Sequence, residues 1–287
     1  MTLDALLAEI RARFQAGGIE GPAREARLLV SGLLDLAPAA LITGGAEPAG
    51  TEAVDAARRA AARRLAGEPL HRILGWREFF GRRFHLSAGT LEPRPDTEVL
   101  VDRLLPHVRG ILAVRGRCRI LDLGTGTGAI CLTLLAEVPG ATGLGVDVCA
   151  DALRTAVANA QRLGVSDRFA VIESDWFRAV AGTFEIVVSN PPYIARDVIA
   201  TLDPGVRLHD PMAALDGGED GLDAYRSLAR GAAAHLADGG IVGVEIGFDQ
   251  KDAVTRLFSA AGFVCRDAAR DLGGQDRTLL FSLPRPD

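Results

Sequence analysis

Lysine is almost missing: Lys251 stands alone, and the other basic residues are all arginine. Beside the abundance of Ala and Gly, this scarcity reads as a bias of composition, not a functional signal. Positive charge is not in excess. Lys and Arg number 32 against 37 Asp and Glu, a formal net charge of −5, and the pI is about 5.6. The broad basic footprint of a protein that grips a nucleic-acid backbone is therefore lacking, and no stable nucleic-acid partner is expected. Cysteines are few. Cys118, Cys131, Cys149 and Cys265 show neither Cys-x-x-Cys nor Cys/His spacing, which argues against a zinc site, and no metal is expected. Three lie in apolar runs and read as buried thiols suited to a reducing cytosol. No apolar stretch reaches the ~20 residues of a transmembrane helix. The N-terminal MTLDALLAEIRARF has early acidic residues and no apolar core, unlike a signal peptide. A cytoplasmic protein with no membrane partner is the expectation. No internal repeat is evident.

What is present is a 287-residue chain, 48% hydrophobic and 24% charged. That is the make-up of a soluble globular protein with one large or two modest domains. The first third is patterned for helices. Leu3, Leu6, Leu7, Ile10 and Phe14 recur at helical spacing before Gly17-Gly18. Pro22 suits a first turn, followed by Ala26, Leu29, Val30, Leu33 and Leu34. Thr51 is a candidate cap for a helix over 51–65, whose Arg58, Arg59, Arg63 and Arg64 read as a solvated face. Aromatic residues around Gly81 predict a hairpin turning at Gly81-Arg82, and Thr97 or Asp96 can cap a helix within 93–108.

From Arg117 the pattern becomes β-α-β. Strands are predicted at 119–123, 144–148, 169–173, 184–188 and 241–246, with helices at 129–137, 151–163, 222–236 and 250–261. A strand pair at 263–267 and 277–283 closes the chain. This alternation implies an α/β fold, a mostly parallel sheet with helices on both faces, which binds ligands beyond the carboxyl ends of its strands.

Four motifs fall at those ends. Gly124-Thr125-Gly126-Thr127-Gly128 follows the first of these strands, where glycine lets backbone turn sharply and approach a ligand. The spacing is neither the dinucleotide fingerprint nor a P-loop. Asp147, about 20 residues on, is placed to accept the hydroxyls of a ribose. Ser174-Asp175-Trp176 follows the third strand, where Trp176 either faces an adenine or joins the core. Ser189-Asn190-Pro191-Pro192-Tyr193 follows the fourth. Its prolines remove two backbone donors, Asn190 adds a side-chain acceptor and Tyr193 a flat face. Together they suit the NH2 group of a planar amide or amine.

These motifs resemble class I S-adenosylmethionine methyltransferases acting on planar nitrogen. The stretches Pro69–Gly75, Phe79-Phe80-Gly81, Pro93–Glu98, Leu215–Arg226, Glu245-Ile246-Gly247 and Asp271–Arg277 narrow the resemblance to the release-factor glutamine methyltransferases, the PrmC/HemK family, over nearly the whole chain. Glu92, Cys149-Ala150 and His209-Asp210 depart from the usual family residues. The resemblance implies a Rossmann-like, seven-stranded domain over 93–287, a helical substrate-recognition domain over 1–69 and a linking hairpin over 70–92. It implies S-adenosylmethionine as cofactor, held by Gly124, Thr125, Gly126, Thr127, Gly128, Asp147, Trp176 and Asn190. It implies methyl transfer to the glutamine of the Gly-Gly-Gln motif of class-1 peptide chain release factors, carried by Asn190, Pro191, Pro192 and Tyr193. The rival reading is an adenine-N6 DNA or RNA methyltransferase. A dinucleotide oxidoreductase conflicts with the glycine spacing, and a non-catalytic scaffold with the complete methyl-site motif. The chain's own Gly273-Gly274-Gln275 reads as a turn before the last strand.

Overall fold

A computed structural model describes residues 1–284. The chain divides into two compact units, Met1–Trp76 with Asp203–His209, and Arg77–Leu202 with Asp210 onward. This differs from the sequence-based division in two ways. The break falls after Trp76, and a short segment far along the chain belongs to the first unit.

The first unit is helical: α1 (Leu3–Ala16), α2 (Pro22–Leu33), α3 (Pro38–Thr43), α4 (Thr51–Leu65) and α5 (Leu70–Leu74). Leu3, Leu6, Ile10 and Phe14 of α1 and Ala26, Leu29 and Val30 of α2 are buried together, as their spacing predicts. Leu7, Leu33 and Leu34 pack only partly. Thr51 does not cap α4, because Gly50 holds the cap position. Arg59 of α4 is exposed, as the solvated-face reading has it, whereas its other three arginines are engaged in ion pairs. Arg58 clasps Glu9 at 2.9 and 2.8 Å, Arg64 clasps Glu25 at 2.7 and 3.1 Å, and Arg63 pairs with Glu68. A bidentate fork fixes the registry of the helices it joins. The later segment of this unit carries the short helix Pro204–His209.

The second unit, from Arg77, opens with most of β1 (Trp76–Phe79) and with β2 (Arg82–His85). They are joined by Phe80 and Gly81 at φ 51° and 70°, the left-handed pair that a tight hairpin turn needs. Phe79 and Phe84 point into the apolar core of this unit. The hairpin is thus part of the second unit's interior more than a linker. A short 3-10 turn over Pro95–Thr97 leads into α6 (Glu98–Arg115), which runs on through Pro106 well beyond the predicted end.

The sheet comprises β3 (Cys118–Leu123), β4 (Ala141–Asp147), β5 (Phe169–Glu173), β6 (Phe184–Ser189), β7 (Leu236–Glu245), β8 (Val264–Arg270) and β9 (Asp276–Ser282). Their order is β5-β4-β3-β6-β7-β9-β8, parallel except for β9. Strand β3 pairs with β4 on one side and β6 on the other, so the strand order switches there. The helices α7 (Ala129–Glu137) and α8 (Ala150–Arg162) follow β3 and β4. Two apolar clusters line the opposite faces of β3, Ile120 in one and Leu121 and Leu123 in the other. Such two-sided burial explains why its strand is mostly apolar on both faces, Asp122 excepted. Cys118 and Cys131 are buried, whereas Cys149 and Cys265 are half-buried.

Candidate active site

A cavity of about 420 Å³ opens beyond the carboxyl ends of β3 to β6, within the ~300–1,000 Å³ usual for small-ligand sites. Its wall includes Gly124, Thr125, Gly126 and Thr127, then Asp147, then Trp176, then Asn190 and Pro192. Four strand ends widely separated in sequence therefore meet in one place.

The glycine loop is held from below. Gly124 and Thr125 donate to the Val146 carbonyl at 2.8 and 2.9 Å. The Thr125 hydroxyl donates to Asp122 Oδ2 at 2.8 Å. Asp122 is buried, its Oδ1 lacks a partner, and burial pushes its carboxyl up to about 7 against the donors at Thr125 and Cys131. Gly126 adopts φ 54° with open space around it. Gly128 does not line the cavity. It starts α7 at φ 82°, and a side chain there would strike Leu132. Its role is packing and turning.

Asp147 lines the cavity with both oxygens already engaged. Oδ2 accepts from Gly126 N and Oδ1 from Cys149 N, each at 2.9 Å. Burial raises its carboxyl above the usual range, opposed by those backbone donors. Its remaining lone pairs are what a ligand hydroxyl can reach. Trp176, at φ 48°, lines the cavity and also packs on the core cluster beneath. Glu92, Asp147, Asp175, Asp216 and Asp223 line the cavity against a single Arg94. Glu92, Asp216 and Asp223 are paired with Arg77, Arg196 and Arg226, and Arg94 with Asp210, so the acidic surplus of the lining is Asp147 and Asp175.

At the opposite wall, Asn190 Nδ2 donates to Thr97 Oγ1 at 3.1 Å, and its Oδ1 has no partner among the described residues. Pro192 lines the cavity, but Pro191 and Tyr193 do not. The expectation that Tyr193 offers its ring to the ligand is not met. The ring packs on the core cluster, its hydroxyl donates to Glu245 Oε1 at 3.4 Å, and burial raises its hydroxyl pKa. An aromatic side chain gains more by covering apolar surface there than by standing in the cavity.

Several site residues escaped sequence reasoning. Asp122 and Glu245 stand in stretches the sequence already marks, next to the glycine loop and in Glu245-Ile246-Gly247, but their burial only the fold reveals. Asn159, fully buried, bonds His85 N and O and the Thr127 carbonyl, tying the hairpin exit to the glycine loop. Glu92, one of the departures, is a buried acid matched by Arg77. Asp210, another, holds Arg94 at 2.6 Å. Among the described residues no His, Cys, Asp and Glu gather as for a metal, and no helix is long and apolar enough to cross a membrane.

Residues 5–75 match the PrmC N-terminal domain family, and residues 96–202 match the methyltransferase small domain family. A release factor glutamine methyltransferase of Agrobacterium fabrum is 53% identical, over 98% of this chain and 97% of its own. That of Cereibacter sphaeroides is 44% identical over 98% of both chains. That of Rhodospirillum rubrum is 45% identical over 93% of this chain and 81% of its own. Among solved structures, a methyltransferase of Pyrococcus furiosus aligns with a TM-score of 0.53 at 20% identity, covering 77% of this chain and 95% of that one. The fold is that of the class I S-adenosylmethionine-dependent methyltransferases, and the chain belongs to the release factor glutamine methyltransferase family.

Proposed function

We propose that this enzyme transfers a methyl group from S-adenosylmethionine to the side-chain amide nitrogen, N5, of the glutamine in the Gly-Gly-Gln motif of class-1 peptide chain release factors. The observation that carries this reading is the Asn190 carboxamide at the cavity wall, with Nδ2 engaged at Thr97 and Oδ1 left as an acceptor. Such an acceptor suits a substrate that presents only N–H bonds.

The cofactor side fits as well. The acidic lining suits a cation. The open space at Gly124 and Gly126 admits a ligand against the backbone. Asp147 keeps lone pairs for ribose hydroxyls, and Trp176 offers its indole to adenine. When bound, S-adenosylmethionine supplies an electrophilic methyl group on a sulfonium sulfur. The chain's own residues then bind and aim the substrate. An amide nitrogen is a poor nucleophile because its lone pair is delocalised into the carbonyl. Asn190 Oδ1 accepts from its N–H, drawing electron density toward nitrogen and fixing its approach. Alignment of this kind contributes several kcal/mol. No strong base is required, since the nitrogen becomes acidic as it is alkylated. Tyr193 supports the loop from behind. The N-terminal helical unit recognises the release factor. The enzyme works in the cytoplasm without a nucleic-acid partner.

The test offers labelled S-adenosylmethionine with release factor, DNA or RNA, and locates the methyl group by mass spectrometry of the peptide holding Gly-Gly-Gln. Label on that glutamine, lost in Asn190→Ala, is expected. Label on adenine instead refutes the reading.

A further inference from the structure

Pro191 and Pro192 give the segment 190–193 no backbone N–H of their own with which to anchor it. Its place therefore depends on what neighbouring segments reach for. One connection joins it to the loop 215–223. Ile194 N donates to the Leu215 carbonyl at 3.1 Å, and Gly217 N donates to the Ile194 carbonyl at 2.9 Å. That loop supplies Asp216 and Asp223 to the cavity wall. Another connection is the half-buried side chain of Gln250, the residue before the helix Lys251–Ala260. Its Nε2 donates to the Tyr193 carbonyl at 2.9 Å and to the Gly221 carbonyl at 3.2 Å. Its Oε1 accepts at 3.0 Å from the N–H of Gly247, just past the end of β7.

Each of these backbone partners has a single function. A carbonyl only accepts and an N–H only donates, so the Gln250 carboxamide is held in one orientation with both ends engaged. The fit is close. A Cβ at Gly221 would stand 2.5 Å from the Tyr193 oxygen and 2.7 Å from Gln250 Nε2, and one at Gly217 would stand 2.8 Å from the Tyr193 Cα. The Tyr225 hydroxyl, which donates to the Glu245 carbonyl at 2.9 Å, stands 3.4 Å from Gln250 Oε1. Gln250 does not line the cavity. It grips two cavity-forming segments from behind and ties both to the end of β7.

We propose that Gln250 is a positioning residue for methyl transfer, clasping the Tyr193 and Gly221 carbonyls to the end of β7 and so holding Asn190 where its Oδ1 meets the substrate amide. The proposal rests on the glutamine methyltransferase reading above and deepens it. Without the clasp, the segments 190–193 and 215–223 stay joined to each other through Ile194 but lose their common tie to Gly247. Misplacement by ~1 Å near a reacting centre costs about a hundredfold in rate. Contacts that a release factor makes elsewhere remain, so the loss falls on kcat more than on KM.

Steady-state kinetics with release factor, at saturating S-adenosylmethionine and with the folded fraction taken by circular dichroism, provide the test. Gln250→Leu keeps the size of the side chain and removes its hydrogen bonds. It should lower kcat at least about tenfold and leave KM for release factor within about threefold. Gln250→Glu, when ionised, turns an oxygen toward the Tyr193 and Gly221 carbonyls where Nε2 had donated. When protonated it regains one O–H donor. The ratio of its kcat to that of wild type should therefore rise severalfold as pH falls, whereas the ratio for Gln250→Leu should stay flat. The Tyr225 hydroxyl and the Glu245 carboxyl, both raised by burial, and the flanking Asp249 and Lys251 are common to variant and wild type, so their own titration cancels in this ratio. A folded Gln250→Leu enzyme with wild-type kcat, or a Gln250→Glu ratio that does not change with pH, overturns the proposal. Should Gln250→Leu fail to fold, the Gln250→Glu ratio decides alone. A wild-type enzyme that never methylates release factor would instead overturn the functional reading on which the clasp depends.

Discussion

Replacing Asp147 by alanine should damage both the cofactor site and the loop that builds it. In the folded protein its two oxygens accept from Gly126 N and Cys149 N at 2.9 Å each. Hydrogen bonds to an ionised group contribute about 1.5–3 kcal/mol each. Part of that gain is spent on keeping a charge in a half-buried place, as the raised carboxyl pKa records. The net loss of stability should therefore be about 1–3 kcal/mol. Binding suffers separately. If the remaining lone pairs hold two ribose hydroxyls, their loss should cost about 3 kcal/mol or more, which is a hundredfold or greater rise in Kd. Urea unfolding gives the first quantity and titration calorimetry with S-adenosylmethionine the second. Asp147→Asn separates them, since it keeps the shape and one acceptor oxygen but puts an NH2 group against a backbone donor. It should bind the cofactor more weakly than wild type and lose nearly as much stability as the alanine variant. An alanine variant that is less stable, yet binds S-adenosylmethionine with wild-type affinity once folded, would show that Asp147 only staples the glycine loop.

Asn190→Ala should lower methyl transfer to release factor tenfold or more. An unpaired donor costs about 1–3 kcal/mol before any loss of aim; steady-state kinetics checks this. Tyr193→Phe, which removes only a 3.4 Å hydrogen bond, should cost far less activity than Asn190→Ala. Asp122, raised to about 7 by burial, holds its proton more tightly folded than unfolded. Stability should therefore rise as pH falls through about 7 toward the unfolded value, by up to about 1.4 kcal/mol per pH unit from this group. His85, whose pKa is lowered mainly by burial, opposes this below its ordinary value of 6.5. Comparing wild type with Asp122→Asn cancels that background, and equal slopes in the two proteins would disprove the Asp122 assignment. A chain beginning at Arg77 should bind S-adenosylmethionine and fail on release factor. One beginning at Leu86 should fold poorly, because it loses Phe79 and Phe84 from the core, where a single Phe→Ala change costs about 3–5 kcal/mol; circular dichroism and calorimetry distinguish the two.

Local chemistry determined much of this protein. The largely apolar strand Ile120–Leu123, the glycines at 124, 126 and 128, and the paired prolines after Asn190 each dictate their own backbone, and their order along the chain dictates a parallel sheet with a site at its carboxyl ends. That is why helix 129–137 and strand 169–173 are found where the pattern places them. Interactions between distant segments were decided only by the tertiary structure. Thr97 looks like a helix cap, because nothing nearby in sequence reveals that Asn190, ninety-three positions on, will claim its oxygen. Tyr193 looks like a stacking face until the core cluster takes the ring. Arg58 and Arg64 of α4 look solvated until Glu9 and Glu25 arrive from other helices. Burial of Asp122 and Glu245 likewise has no local signature. A carboxyl's neighbours, and so its proton affinity, depend on which strands lie beside its own, and strand order is set by the packing of the whole sheet.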